Sequence, residues 1–323
     1  MPSLKEIKNR IASVNSTRKI TSAMKMVASS KLHHAQVSIQ NMLPYETLLE
    51  HILKTFMASE VETRSVLTEG REVVNSVTLV VLSSNSSLCG GFNANIIKMM
   101  MQTVEQYKAQ GVTDITIYPI GRKVAEKVEK LGLKSAGDFT ELADKPNIQQ
   151  CTAIAEELKR MFEADETDRV ELIYHHFKSA GSQILTKKTL LPIDLTEELQ
   201  RDHQRDLKSK AMTKEALEYL RKRDAQRVGS ETVETKPLND NYIVEPDMET
   251  VLDKLVPKML HLMVYTALLD SNASEHAARM VAMQTATDNA DELLRELNLQ
   301  FNKSRQQAIT SELLDIVGGT VNN

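Results

Sequence analysis

The sequence predicts an α/β domain carried between two long terminal helices that pair as an antiparallel coiled coil. Three observations predict it. Both ends of the chain lack glycine and repeat apolar residues at helical spacing. The middle alternates short β-branched runs with helix-like segments. The composition, with 11 glycines, 8 prolines and 15 methionines but only 4% aromatics, suits long helices more than a thick aromatic core.

At the N-terminal end, residues 3–57 hold one proline and no glycine. Ile7, Ile11 and Val14 step by four and three, and Met24 and Val27 resume a similar face, which is the stripe of an amphipathic helix. Pro44 marks either a kink or a boundary. Up to Lys31 the basic residues are Lys5, Lys8, Arg10, Arg18, Lys19, Lys25 and Lys31, against Glu6 alone. That sign opposes the whole-chain balance of -4 and points to an acidic partner. A solvated helix face would read the same way.

The C-terminal end mirrors this. From Asp247 to Val317 there is no glycine, and Leu293, Leu297 and Phe301, then Ile309, Leu313 and Ile316, repeat at helical spacing. Gly318 and Gly319 are expected to close the helix. Helices of 50 to 70 residues would extend roughly 75 to 105 Å. Each therefore needs a partner along its length, and pairing with each other is the economical solution. The heptads read as imperfect, so winding that is irregular or partly exposed is expected.

Between them, "SVTLVVLSS" (76–84), "DITIYPIG" (114–121) and "RVELIYHHF" (169–177) read as strands. Helix-like segments cover 94–109, 121–132 and about 148–163, so a parallel-sheet α/β domain is predicted. "QILTKKTLLPI" (183–193) reads as a last strand, antiparallel at an edge. Residues 196–245 are dense in both charges and poor in apolar positions, and read as an exposed helix or a mobile insertion. The expected division is 1–60 and 246–319 for the long helices, 75–195 for the α/β domain, and 196–245 for the insertion.

The classes the sequence excludes are informative. No run approaches 18 apolar residues, so no span is expected. The start "MPSLKEIKNR" lacks an apolar core and argues against a secretory signal. Two cysteines, Cys89 and Cys151, are too few for a disulfide framework and suggest a reducing compartment. The modest net charge argues against nucleic acid. There is no phosphate loop, dinucleotide fingerprint, nucleophile elbow or zinc motif, so no catalytic residue, cofactor or metal is expected. The pairs His33–His34 and His175–His176 are adjacent and diverge on either a helix or a strand.

The remaining candidate for chemistry is "SSNSSLCGGFNAN" (83–95). A helix N-terminus can lower a thiol pKa, and Cys89 stands just before one. A nucleophile also needs a base and an orienting group. The alternative is that a small cysteine with Gly90 and Gly91 lets a strand turn sharply into a packed helix.

Four separated stretches carry a resemblance. "RKITSAMKMVASSKL" (18–32), "SLCGGFN" (87–93), "SEHAARMVAMQTATDNA" (274–290) and "NKSRQQAITSELLDIVGG" (302–319) resemble, in order, the signatures of the gamma subunit family of F-type ATP synthases. Ser87 replaces the first glycine of that family's turn motif. The C-terminal signature is met by Ile309, Thr310, Glu312, Asp315 and Gly319, and Thr320 departs from its final alanine.

The resemblance implies that the α/β domain is Rossmann-like, and that the chain is a non-catalytic central-stalk rotor whose partners are an alpha–beta hexamer, the epsilon subunit and the membrane c-ring. It implies association with the membrane only through the complex, on the cytoplasmic face of a bacterial cell membrane. Arg18, Lys19, Met24 and Lys25, with Arg305 and Gln306, are then the expected contacts to beta subunits. Leu88, Cys89, Gly90, Gly91 and Asn93 form a structural turn expected near epsilon or the ring side. Photosynthetic relatives carry a cysteine pair where 196–245 lies; this insertion has no cysteine, which excludes a thiol switch of that kind. Two other readings stand beside the rotor: an enzyme built on Cys89, and a freestanding coiled-coil scaffold.

Overall fold

"SVTLVVL" forms β1 (Ser76–Leu82), the middle of a five-stranded sheet, because every residue after the first is buried and both faces must be apolar. In the computed structural model, which describes residues 3–57, 66–71, 73–193, 244–245 and 247–321, the other elements follow in chain order. They are α1 (Leu4–Met57) before β1, then α2 (Phe92–Ala109), β2 (Asp114–Ile120), α3 (Arg122–Lys130), β3 (Lys134–Ser135), α4 (Thr140–Asp144), α5 (Ile148–Glu163), β4 (Arg169–Ser179), β5 (Ser182–Leu191) and α6 (Met248–Val321). The predicted insertion at 196–245 lies almost wholly outside the described residues.

The strand order is β3-β2-β1-β4-β5. Pairing is parallel between β1 and β2, β1 and β4, and β2 and β3, and antiparallel between β4 and the edge strand β5. This is the Rossmann-like sheet with an antiparallel edge that the sequence predicts. β3 and α4 are too short to have shown a period in the sequence.

The chain divides into two compact units, Lys31–Ala278 and a second made of Met1–Ser30 with Arg279–Asn323. In the first, one sheet face is covered by α2 and α3, through Ile96, Met100, Val104, Val124 and Val128. The other face packs α5 with Leu49 and Leu53 of α1 and Leu252 to Leu268 of α6. Polar ties fix α6 to this layer: Ser274 Oγ donates to the His175 carbonyl at 3.1 Å, and His176 Nδ1 lies 2.6 Å from Asp270 Oδ2. The start of β1 is clamped by Asp168, which accepts from Asn75 N, Ser76 N and Arg71. Burial pushes the Asp168 pKa up, but those hydrogen bonds and the Arg71 charge outweigh it and hold the carboxyl below its usual value.

The second unit is an antiparallel helix pair. Arg18 Nη1 reaches Asp291 Oδ1 at 3.0 Å, and Thr21 Oγ1 lies 2.8 Å from Thr287 Oγ1, so three residues forward on α1 match four back on α6. Along α1 within this unit the inward positions are 7, 11, 14, 18, 21, 25 and 28, an alternation of four and three. The spacing is thus regular, and several of these positions are only half-buried, so the pair is partly exposed, one of the two outcomes expected of imperfect heptads. The spacing looked broken because Arg18, Thr21 and Lys25 fill three successive seam positions. Val27, expected on the apolar stripe, is exposed, since it sits about 100° around the helix from the seam residue Ala28.

Further expectations are decided. The α1 helix runs through Pro44, so of the two readings there the boundary is excluded, and α6 runs through Gly318 and Gly319 to Val321 instead of closing at them. A proline inside a helix leaves one carbonyl of the preceding turn without its usual donor, and Pro44 stands on an exposed face where water can supply one. The apolar residues Ile309 and Leu313, read as part of the seam, are exposed, because α6 outreaches the N-terminus of α1 there.

Candidate contact surfaces and the turn after the first strand

The turn between β1 and α2 is built by its own side chains. Ser84 N donates to Asn93 Oδ1 at 3.1 Å, and Asn93 Nδ2 reaches Ser84 Oγ at 2.8 Å, Cys89 Sγ at 3.2 Å and the Ser86 carbonyl at 3.3 Å. Ser84 Oγ donates to the Ser86 carbonyl at 2.6 Å. Asn85 ties the turn outward: its Nδ2 donates to Thr140 O and Asp144 Oδ2, and its Oδ1 accepts from Arg122 N. Ser83 Oγ accepts from Val124 N at 3.1 Å, capping α3.

Glycine is required where backbones nearly touch. At Gly121, with φ +105°, an added Cβ would stand 2.2 Å from the Ser83 carbonyl oxygen. Gly90 has φ 59°, and so, at 67°, does Leu88, a residue that pays strain for that conformation. Leu88 is 60% exposed, so the turn buries Ser83, Ser84 and Cys89 while directing a large apolar side chain outward.

This arrangement leaves Cys89 without the partners of a nucleophile. Its sulfur contacts are the Asn93 amide, the Ser84 hydroxyl at 3.8 Å and the Ser86 carbonyl at 3.9 Å, none of which is a base. The other cysteine, Cys151, is buried in the core, and burial pushes its thiol up to about 12. A cleft of about 630 Å³ lies beside α4 and α5, lined by Tyr118, Phe139, Thr140 and Glu157 among others. Three of its polar groups are already engaged: Asp138 accepts from Thr140 N, Tyr118 OH reaches Met161 Sδ, and Glu157 pairs with Arg160. That hydrogen bond from Arg160 holds the Glu157 carboxyl below its usual pKa. Among the described residues no group of three or more His, Cys, Asp or Glu side chains is placed to hold a metal.

The six residues expected on the long helices fall into two separate groups. Arg18, Lys19, Met24 and Lys25 lie on α1; Lys19 is exposed, whereas Met24, Lys25 and Arg18 are half-buried along the seam. Arg305 and Gln306 are exposed on α6, opposite the start of α1 and about 20 Å along the helices from Arg18. The sequence reading missed the outer face. Ile20, Met26 and Val27 are 60%, 65% and 59% exposed, so around the polar seam positions the apolar residues point outward. Their signal was available as apolar residues at 20, 23, 26 and 27, but the seam had first to be located.

The sequence model of a family described as ATP synthase matches residues 3–321. The ATP synthase gamma chain of Phocaeicola vulgatus is 51% identical over 321 residues, covering 99% of this chain and 100% of that one. That of Bacteroides thetaiotaomicron is 50% identical with the same coverage. The chain belongs to the ATP synthase gamma chain family. A chain in the Euglena gracilis mitochondrial ATP synthase (OSCP/F1/c-ring, rotational state 3) shares the fold, with a TM-score of 0.59 at 19% identity, covering 99% of this chain and 94% of that one. As a gamma chain it is a non-catalytic subunit of a membrane-bound complex, and nothing favours the enzyme reading built on Cys89. Among the described residues no helix is long and apolar enough to cross a membrane.

Proposed function

We propose that this gamma chain is the central-stalk rotor of a proton-translocating F-type ATP synthase. It transmits torque from the membrane c-ring to the catalytic beta subunits, coupling ion flow to ATP synthesis or hydrolysis. The observation that carries the reading is the full-length relationship to gamma chains, joined to a helix pair whose outer face is apolar where its seam is polar. Such a face needs a surrounding partner, here the alpha–beta hexamer, with Arg18, Lys19, Met24, Lys25, Arg305 and Gln306 contacting beta. A rotor works on its neighbours only through contacts that differ in free energy between states. Exposed charges are individually weak, which suits a surface that must slide.

The turn with Leu88, Cys89, Gly90, Gly91 and Asn93 faces epsilon or the ring side, with Leu88 as its outward apolar contact. The complex sits on the cytoplasmic face of a bacterial cell membrane, and the chain reaches that membrane only through its partners. The segment 196–245 is a charged insertion between the α/β domain (75–195) and the C-terminal helix (246–319). Its deletion over 198–240 should leave assembly intact, with ATP hydrolysis as the activity to compare; failure to assemble would make the segment structural. The deciding experiment is affinity isolation of the tagged full chain with subunit identification. Stoichiometric recovery of alpha, beta and epsilon is expected, whereas self-association without them would favour the scaffold reading.

A further inference from the structure

We propose that Arg18, Thr21, Thr287 and Asp291 form a register lock, fixing which residue of α1 stands opposite which residue of α6. The apolar layers of the pair cannot do this alone. Ile7, Ile11 and Val14 meet a seam of Leu294, Leu297 and Phe301, and aliphatic side chains bury well against one another in several heptad offsets. Specificity needs a contact that the wrong offsets lose.

The polar layer meets that need. Thr21 is only 8% exposed, and its hydroxyl lies 2.8 Å from that of Thr287. Each hydroxyl also reaches a carbonyl of its own helix, Thr21 that of Arg18 at 3.0 Å and Thr287 that of Met283 at 2.8 Å. At any moment one of these local bonds is made and holds its side chain in one rotamer, while the other hydroxyl donates across the pair. Each hydroxyl carries one hydrogen, so when one donates to its own helix its oxygen accepts from the other, and the pair is mutually satisfied.

A slide of one heptad in either direction breaks the layer. Thr21 would then stand opposite Met280, whose thioether is only a weak acceptor and cannot donate, or Leu294, which has no polar group. Arg18 would lose Asp291 and meet Gln284 or Asn298, both uncharged. An exposed ion pair adds little affinity, but beside a buried hydroxyl pair it penalises the same wrong offsets. The lock rests on the helix pair alone. Its consequence rests on the rotor reading: torque on two joined helices acts as shear between them, and a locked register resists slip.

The test reads register directly in the purified full chain by oxidative cross-linking. Ile7→Cys with Phe301→Cys reports the native offset, and Ile7→Cys with Leu294→Cys reports a slide of one heptad. In the parent chain the native cross-link should dominate. Adding Thr21→Val, Thr287→Val, Arg18→Gln and Asp291→Asn should raise the slid cross-link relative to the native one by about tenfold. An unchanged ratio overturns the lock. A second arm covers loss of folding: Arg18→Asp alone should raise the slid product, and adding Asp291→Arg should restore the parent ratio. Failure of that restoration also overturns it.

Discussion

The turn after β1 and the α1–α6 pair near Thr21 both place polar groups inside, yet they do opposite things with the outside. In the turn, Ser83, Ser84, Asn85 and Asn93 hold three element ends together, and Leu88 is its exposed large apolar side chain. In the helix pair, Arg18, Thr21 and Lys25 occupy the seam while Ile20, Met26 and Val27 form an outer stripe. The turn stabilises its own unit. The helix pair gives up apolar burial between its two members and presents that surface to something else. Polar richness in the sequence therefore marked a region tied together by its own hydrogen bonds, and an ordinary-looking helix carries the exposed apolar residues.

The sharpest way to break the comparison is to damage the turn. Gly121→Ala drives a Cβ into the Ser83 carbonyl at a positive φ and should destabilise the α/β domain by roughly 3 kcal/mol or more, measured by chemical unfolding. A loss below about 1 kcal/mol would show that the turn yields freely.

Acid should find the same region. His175 stacks on Phe92 with ring centroids 4.4 Å apart, and burial pushes its pKa down to about 4. The unfolded ring titrates near 6.5, so between those values the unfolded chain holds a proton that the folded chain lacks. Stability is then fully present above about pH 6.5 and falls as pH drops toward 4, by up to roughly 3 kcal/mol. His175→Phe should flatten that slope; an unaltered slope would assign the acid sensitivity to other groups.

Within the turn, Asn93→Ala should cost about 2 kcal/mol because it strands Ser84 N, whereas Cys89→Ala should cost about 1 kcal/mol and leave coupled ATPase intact. A loss of activity by orders of magnitude in the cysteine variant would revive the enzyme reading. The smallest effect on folding belongs to the helix pair: Arg305→Ala with Gln306→Ala should change stability by less than about 0.5 kcal/mol yet impair ATP synthesis. Normal coupling in that double variant would remove both residues from the contact surface.

The fold was legible wherever burial and hydrophobicity agree. Strand β1 needs apolar residues on both faces, and "SVTLVVL" supplies them. The seam was not legible, because a period search by hydrophobicity passes over Arg18, Thr21 and Lys25, and reads Val27 as inside. Only the contacts to Asp291 and Thr287 reveal that the inward position at those layers is polar. The C-terminal helix end was misread for a related reason. Two glycines usually stop a helix, but nothing in the local sequence records that α6 continues through them.

The N-terminus of α1 stands opposite Arg305, while α6 continues to Val321, so the pair ends in roughly 24 Å of single helix. Two rods joined side by side resist bending more than twice as well as one, since each lies off the common axis. The joined length is therefore the stiff part of a composite beam, and its tip is a softer spring in series with it. Under load the tip winds and flexes first, storing elastic energy that the stiffer length can return.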